Sequence, residues 1–272
     1  MTARAARQVR AALACGLLFG AGGCAARGLA LPSGDGTPFP DYQAAFDEAA
    51  SGCRQARTLT AELAVSGRVG RQKLRGRILA GFARPSSLRL EGVAPFGPPA
   101  FILAASPEGA TLLLPRDPAV LTGEPPEAIL AALVGIELKP AQLQSIVAGC
   151  GLAASPPTGG RRFASGWVRV DLSDGVSAFL KTAGGRWQIQ AATAPPLRVE
   201  YGERQGWRPA GIRLLLADDK GEGQARADLR LQVSQVQVNV DLDPAAFGVR
   251  VPAAAVKITL EELRQAGPLG QR

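Results

Sequence analysis

Histidine is absent from all 272 residues of the chain. Without it, Ser–His–Asp and Cys–His nucleophilic arrangements and imidazole metal sites are excluded. Aromatic residues make up only 5%, too few for a surface that binds nucleic acid by stacking bases. Neither a phosphate-cradling P-loop nor a dinucleotide glycine fingerprint occurs. Acidic pairs are present, Asp171 with Asp174, Asp218–Asp219 and Glu261–Glu262. Each falls in a predicted turn or helix start, where carboxylates have local work to do. The expectation is a protein that is not an enzyme and holds no metal or cofactor.

What is present begins with apolar mass, 46% of the residues, enough for a substantial core. The formal charge is +8 with a pI of about 9.9, values that raise nucleic acid or anionic membrane as partners. Arg4, Arg7 and Arg10 stand in the first 23 residues with no acid among them, and removing their charge from +8 leaves +5. The other cations are spread singly, as on a solvated strand face. Nucleic acid is not an expected partner.

The opening segment "MTARAARQVRAALACGLLFGAGGC" has a basic start, an apolar stretch and small residues before a cysteine. This is the layout of a secretory signal over residues 1–23. Its apolar run from Ala11 to Ala21 is shorter than the about 20 residues that span a bilayer. Ala21-Gly22-Gly23-Cys24 resembles the bacterial lipobox, which would make Cys24 the lipidated first residue of the mature chain. Plain secretion, with Cys24 incidental, is the alternative. No aspartate follows the cysteine, and by the enterobacterial sorting rule that implies the outer membrane. Residues 24–40, rich in glycine and proline, read as a flexible tether. Cys53 and Cys150 remain as an even pair suited to a disulfide in an oxidising compartment, with two separate buried thiols as the alternative.

From Asp41 to Gln55 the spacing is helical: Tyr42, Ala45, Phe46 and Ala49 share one face. Thereafter the period drops to two. Leu59, Ala61, Leu63 and Val65 alternate with polar residues, as do Leu74, Ile78, Ala80 and Phe82, then Leu88 and Leu90. Such alternation belongs to an antiparallel sheet wet on one side. Ala100–Ala105 and Ala110–Leu114 follow, then two short helices opening at Pro125 and Pro140. Six more strands extend from Trp167 to Val240, with hairpin signals at Ser173-Asp174-Gly175 and Gly184-Gly185. About eleven strands sharing one apolar face would close, or nearly close, around it, and the helices would form a lid. Residues 253–272 read as a tail with a short helix behind a Thr259–Glu262 capping box.

Between the third and fourth strands lies "EGVAPFGPPAF", which puts Phe96 at the tip of a turn stiffened by Pro95 and loosened by Gly97. Either Phe96 projects into another medium or it folds back beneath the rim. The longer stretch "LRLEGVAPFGPPAFILAA", followed by the helix "LKPAQLQSIVAGC", resembles the LolB family of outer-membrane lipoprotein receptors, over roughly Thr58 to Val251. That resemblance implies a mainly β fold, a half-open antiparallel barrel with a helical lid over residues 41–252. It implies a monomer on the periplasmic face of the outer membrane that takes acyl chains from a LolA-type carrier. It also implies that Pro95, Phe96 and Gly97 form a membrane-inserting loop. Leu63, Val65, Ile78, Phe82, Leu88, Leu90, Phe101, Leu103, Leu112 and Leu114 are then the expected acyl-chain cavity. The tail beyond Val251 and the Cys53 and Cys150 pair depart from the family pattern. On the same scaffold the cargo could be another lipid or glycolipid, or the barrel could be filled and serve envelope assembly.

Overall fold

Period-two sequences do form strands here, and their apolar positions meet across the sheet. Leu63 stands opposite Ile78, Leu59 opposite Phe82, and Ala80 opposite Leu90, so each cross-strand pair buries its neighbours on one face. The computed structural model describes residues 28–152, 155–217 and 225–266. Two units divide the chain after Ala30; of the first, Gly28, Leu29 and Ala30 are described and have no regular structure. The second unit begins at Leu31 and holds the entire sheet. The signal segment and Cys24 lie outside the described residues, as do Asp218 and Asp219.

The chain order is β1 (Thr37–Pro38), α1 (Tyr42–Gln55), β2 (Thr58–Val69), β3 (Gln72–Ala83), β4 (Ser87–Val93), β5 (Ile102–Ser106), β6 (Gly109–Leu114) and β7 (Ala119–Thr122). The helices α2 (Pro126–Val134) and α3 (Pro140–Ala148) come next. Then follow β8 (Pro157–Arg162), β9 (Val168–Leu172), β10 (Ser177–Ala183), β11 (Arg186–Ala194), β12 (Leu197–Tyr201), β13 (Arg204–Gln205), β14 (Arg208–Pro209), β15 (Gly211–Leu216) and β16 (Ala227–Val238). A 3-10 turn (Pro244–Phe247), β17 (Val256–Lys257) and α4 (Leu260–Ala266) complete the described chain.

Fifteen of these strands form one sheet in the order β1-β8-β9-β10-β11-β12-β15-β16-β2-β3-β4-β5-β6-β7-β17. Its edges, β1 and β17, are not joined, so the barrel is half open as expected. All pairings are antiparallel except the last, in which β17 runs parallel to β7. All eleven expected strands are present. Six further strands escaped the sequence reading: β1, β13, β14 and β17 have two residues each, β7 is only four residues long, and β8 contains Pro157, Gly159 and Gly160.

Helix α1 buries Ala45, Phe46, Ala50 and Cys53 against the sheet near β8 and β11. Asp41 stands at its N-cap, where a carboxylate commonly accepts from first-turn amides. Its side chain makes no such bond, and its carbonyl instead accepts from the Ala45 amide at 3.1 Å. The expected tether is docked at its far end, where Thr37–Pro38 pair with Arg161–Arg162 and Phe39 is buried. After β16 the chain crosses the outer face of the sheet. Arg89 secures it there by donating to the carbonyls of Ala246 and Gly248 at 2.8 and 2.9 Å. Behind the Thr259–Glu262 capping box, in which the Thr259 amide donates to the Glu262 carboxylate at 2.7 Å, α4 lies against α2 with Leu263 buried.

Cys53 on α1 and Cys150 beyond α3 are joined by a disulfide, with Cα atoms 5.7 Å apart and a sequence separation of 97. A link closing so long a loop restricts the unfolded chain strongly. The Cys53→Ser/Cys150→Ser variant is expected to lose roughly 2–4 kcal/mol of stability, read from its urea unfolding midpoint. An unchanged midpoint would show that the link contributes nothing.

Candidate functional site

Within the sheet, beneath the two central helices, lies a partly open space of about 50 Å³. From the sheet, Leu63, Val65, Ile78, Leu90, Leu214, Leu229 and Leu231 line it. The lid contributes Leu130, Val134, Ile136, Leu138 and Leu143. Every lining side chain is aliphatic. Nothing there can hydrogen-bond a head group, activate a nucleophile or hold a metal; the chemistry on offer is dispersion and exclusion of water.

Four of the ten expected cavity residues, Leu63, Val65, Ile78 and Leu90, border this space. Phe82, Leu88, Phe101, Leu103 and Leu112 are buried in the surrounding core, while Leu114 is half-buried against it. Sequence reasoning missed the lid's contribution. A signal was available, because "AILAALV" is apolar all round, and a helix of that kind is covered on every side.

The lid is fixed at one end. Tyr201 on β12 donates its hydroxyl proton to the Ile146 carbonyl at 2.9 Å and accepts from the Gly151 amide at 2.7 Å. Burial pushes this phenol above its ordinary pKa, so it stays protonated and able to donate. The disulfide at Cys150 holds the same end, and Gln144 donates to the Arg57 carbonyl at 3.2 Å. The other end, the 135–139 connection, rests beside Val69 at the mouth of the sheet. The lid is thus held by a covalent link and hydrogen bonds near Cys150 and by apolar packing at its 135–139 end.

At that mouth the segment after β4 projects outward. Phe96 is 89% exposed, the most exposed large apolar side chain among the described residues. It does not fold beneath the rim. Gly97 takes φ +76°, a left-handed conformation that lets the turn reverse. Arg116, on the turn between β6 and β7, donates to the Phe96 carbonyl at 3.0 Å and steadies it. No local signal linked these residues, which lie 20 apart in sequence.

Charged groups beside the mouth form structural pairs. Arg213 grips Asp228 through two bonds of 2.8 and 2.7 Å, which hold the Asp228 carboxyl below its usual range. The buried Glu200 pairs with Arg198. Asp171 accepts from Ser177, and Asp174 accepts from the Val176 amide at 3.2 Å to close its hairpin.

No protein-family model and no curated protein matches the chain. Solved structures do. A LolA superfamily protein from Nitrosomonas europaea superposes with a TM-score of 0.52 at 9% identity, over 76% of this chain and 97% of that one. A DUF1329 family protein from Desulfovibrio piger superposes with a TM-score of 0.51 at 10% identity, over 77% and 98%. Likeness at this level of identity shows the fold. The fold is LolA-like, a large open antiparallel sheet holding a few helices.

Tyr201→Phe removes one hydroxyl and leaves the Ile146 carbonyl and the Gly151 amide without their shared partner. The expected cost is about 1–3 kcal/mol, seen in urea unfolding, with faster hydrogen exchange around residues 146–151. Unchanged exchange there would show that Tyr201 does not fix the lid.

Proposed function

We propose that this protein is a lipid-anchored envelope protein that takes acyl chains into its barrel and passes lipoproteins to the outer membrane, as a LolB-type receptor does. The observation that carries the reading is the wholly aliphatic space beneath a lid fixed at one end. A sixteen-carbon acyl chain in water costs on the order of 13 kcal/mol, at ~0.8 kcal/mol per methylene, so its passage through an aqueous compartment requires such a lining. With no nucleotide site in the sequence, transfer from a LolA-type carrier would run on affinity alone. Each tenfold preference corresponds to about 1.4 kcal/mol.

In this reading Cys24 carries the acyl anchor, and the Pro95-Phe96-Gly97 turn touches the bilayer. Moving one phenylalanine from water into lipid gains roughly 1.5–3 kcal/mol. That orients the domain without holding it there. Two or more acyl chains on Cys24 would do the holding, because a single chain binds only reversibly. Lid and turn share the mouth, so cargo leaving the barrel would emerge where Phe96 meets the membrane.

One observation favours a second reading, a filled barrel that binds nothing and serves envelope assembly. The space of about 50 Å³ holds a few waters, whereas small-molecule pockets measure roughly 300–1,000 Å³. In the transfer reading this is the closed form, and cargo displaces the lid. Mass spectrometry of protein extracted gently from membranes separates the readings: bound acyl species support transfer, and none in any preparation supports assembly. The identity of those species separates lipoprotein cargo from another lipid or glycolipid.

Phe96→Glu is expected to leave acyl binding intact while release of cargo into vesicles falls at least tenfold. Unchanged release would remove the role given to the turn. Cys24→Ala is expected to move the protein from the membrane pellet to the soluble fraction; retention in the pellet would refute the anchor.

A further inference from the structure

The turn bearing Phe96 does not stand alone at its end of the sheet. Strand β2 ends at Val69 and β3 begins at Gln72, so the tip of the β2–β3 hairpin is Gly70–Arg71. Around this tip Arg68, Arg71, Lys73, Arg75 and Arg77 are all exposed. The sequence contains no acid from Glu62 to Glu91. Strand β4 pairs with β3 only from Arg77 onward, where it meets Val93. The first five residues of β3 therefore extend past the end of β4, on the side where the chain turns through Phe96. Arg116, bonded to the Phe96 carbonyl, adds another exposed cation.

Among the described residues, the acids at this end have cations near them. Glu62 lies 3.3 Å from Arg77, and Asp228 is gripped by Arg213 within the field of Arg68 and Arg230. Asp117 and Glu137 are exposed in the turn after β6 and in the lid connection, with Arg116 and Lys139 close by in sequence. Segment 218–224, with Asp218, Asp219, Lys220 and Glu222, lies outside the described residues. The hairpin tip itself, Arg71 to Arg75, contains no acid, and while Lys73 is already engaged, Arg71 and Arg75 are exposed cations.

We propose that the hairpin tip and the Phe96 turn together form a docking face for the surface of a bilayer containing anionic phospholipid. An exposed aromatic ring among several cations is the chemistry of the membrane interface: the ring enters the acyl boundary while the cations stay at the head groups. An acidic protein could meet the cations, but it gives the ring no apolar destination. The open space around Gly97, with nothing within 4 Å of a Cβ placed there, marks a turn that projects rather than a groove that receives. The proposal deepens the transfer reading and rests on its view of Phe96 as the lipid-facing residue. It adds selectivity for anionic lipid and assigns it to Arg71 and Arg75. Each cation near an anionic surface multiplies affinity about fivefold, so two give about 25-fold at low salt.

The test uses the chain carrying Cys24→Ala, so that a covalent anchor cannot mask weak docking. Co-sedimentation is measured with phosphatidylcholine vesicles, with and without phosphatidylglycerol, over a salt series. The expected result is a preference of about 25-fold for the anionic vesicles, fading as salt shortens the Debye length. Arg71→Glu/Arg75→Glu should abolish the preference while acyl-probe uptake is unchanged, and the Arg71→Lys/Arg75→Lys variant should retain it. Equal affinity for the two vesicle types, or a preference that survives charge reversal, overturns the proposal. Absence of binding to any vesicle, with capture of an acidic carrier protein instead, also overturns it. If the charge-reversed chain fails to fold, the salt series on the parent chain decides. Loss of acyl uptake in the parent chain would refute the transfer reading, whereas loss of anionic preference alone would refute only the docking face.

Discussion

A sheet this long, aliphatic along its inner face, cannot leave that face in water. Burial at about 25 cal/mol per Å² is the dominant stabilising force here, and β-sheet hydrogen bonding alone cannot cover the surface. Curvature buries part of it. The rest falls to α2, α3 and their connection, whose Leu130, Ile136, Leu138 and Leu143 meet Leu63, Ile78, Leu214 and Leu229. The same contact that completes the core closes the candidate binding space. Stability and access are therefore opposed, and the lid is where the two are balanced.

The anchoring of the lid is unequal. Near Cys150 it has a covalent bond and the two hydrogen bonds of Tyr201. At the 135–139 end it has aliphatic packing beside Val69, and α4 lies against α2. An incoming acyl chain offers similar dispersion contacts, so it could replace the lid's side chains at little net cost. The transfer reading asks for a cavity made of contacts that can be exchanged.

The sheet was legible because strand alternation is local: Leu59, Ala61, Leu63 and Val65 name their own face. The lid helices and the capping box at Thr259 were legible for the same reason. Strand β8 was not, since Pro157, Gly159 and Gly160 read as a loop and only pairing with β9 makes a strand of them. Gly52 sits inside α1, where a Cβ would lie 2.7 Å from the Trp207 ring, a contact made across the fold that nothing local announces. The exposure of Phe96 was open from sequence alone, as projection and burial suit the same motif. The bond from Arg116 and the shared end with the β2–β3 hairpin depend on register across several strands.

The central claim is that the interior opens at its 135–139 end to admit an acyl chain. A Cβ at Gly135 would lie 3.3 Å from the Val69 Cβ, just under the roughly 3.5–4.5 Å of a disulfide, so Val69→Cys/Gly135→Cys can tie that end shut at the cost of some backbone strain at Gly135, which takes φ +73°. The most direct measurement is uptake of a fluorescent sixteen-carbon acyl probe by this variant, oxidised and then reduced, beside the parent chain under the same conditions. Saturable uptake by the parent and by the reduced variant, and none by the oxidised one, is the predicted result. Equal uptake with the lid tied, or no saturable uptake by the parent, would contradict the account.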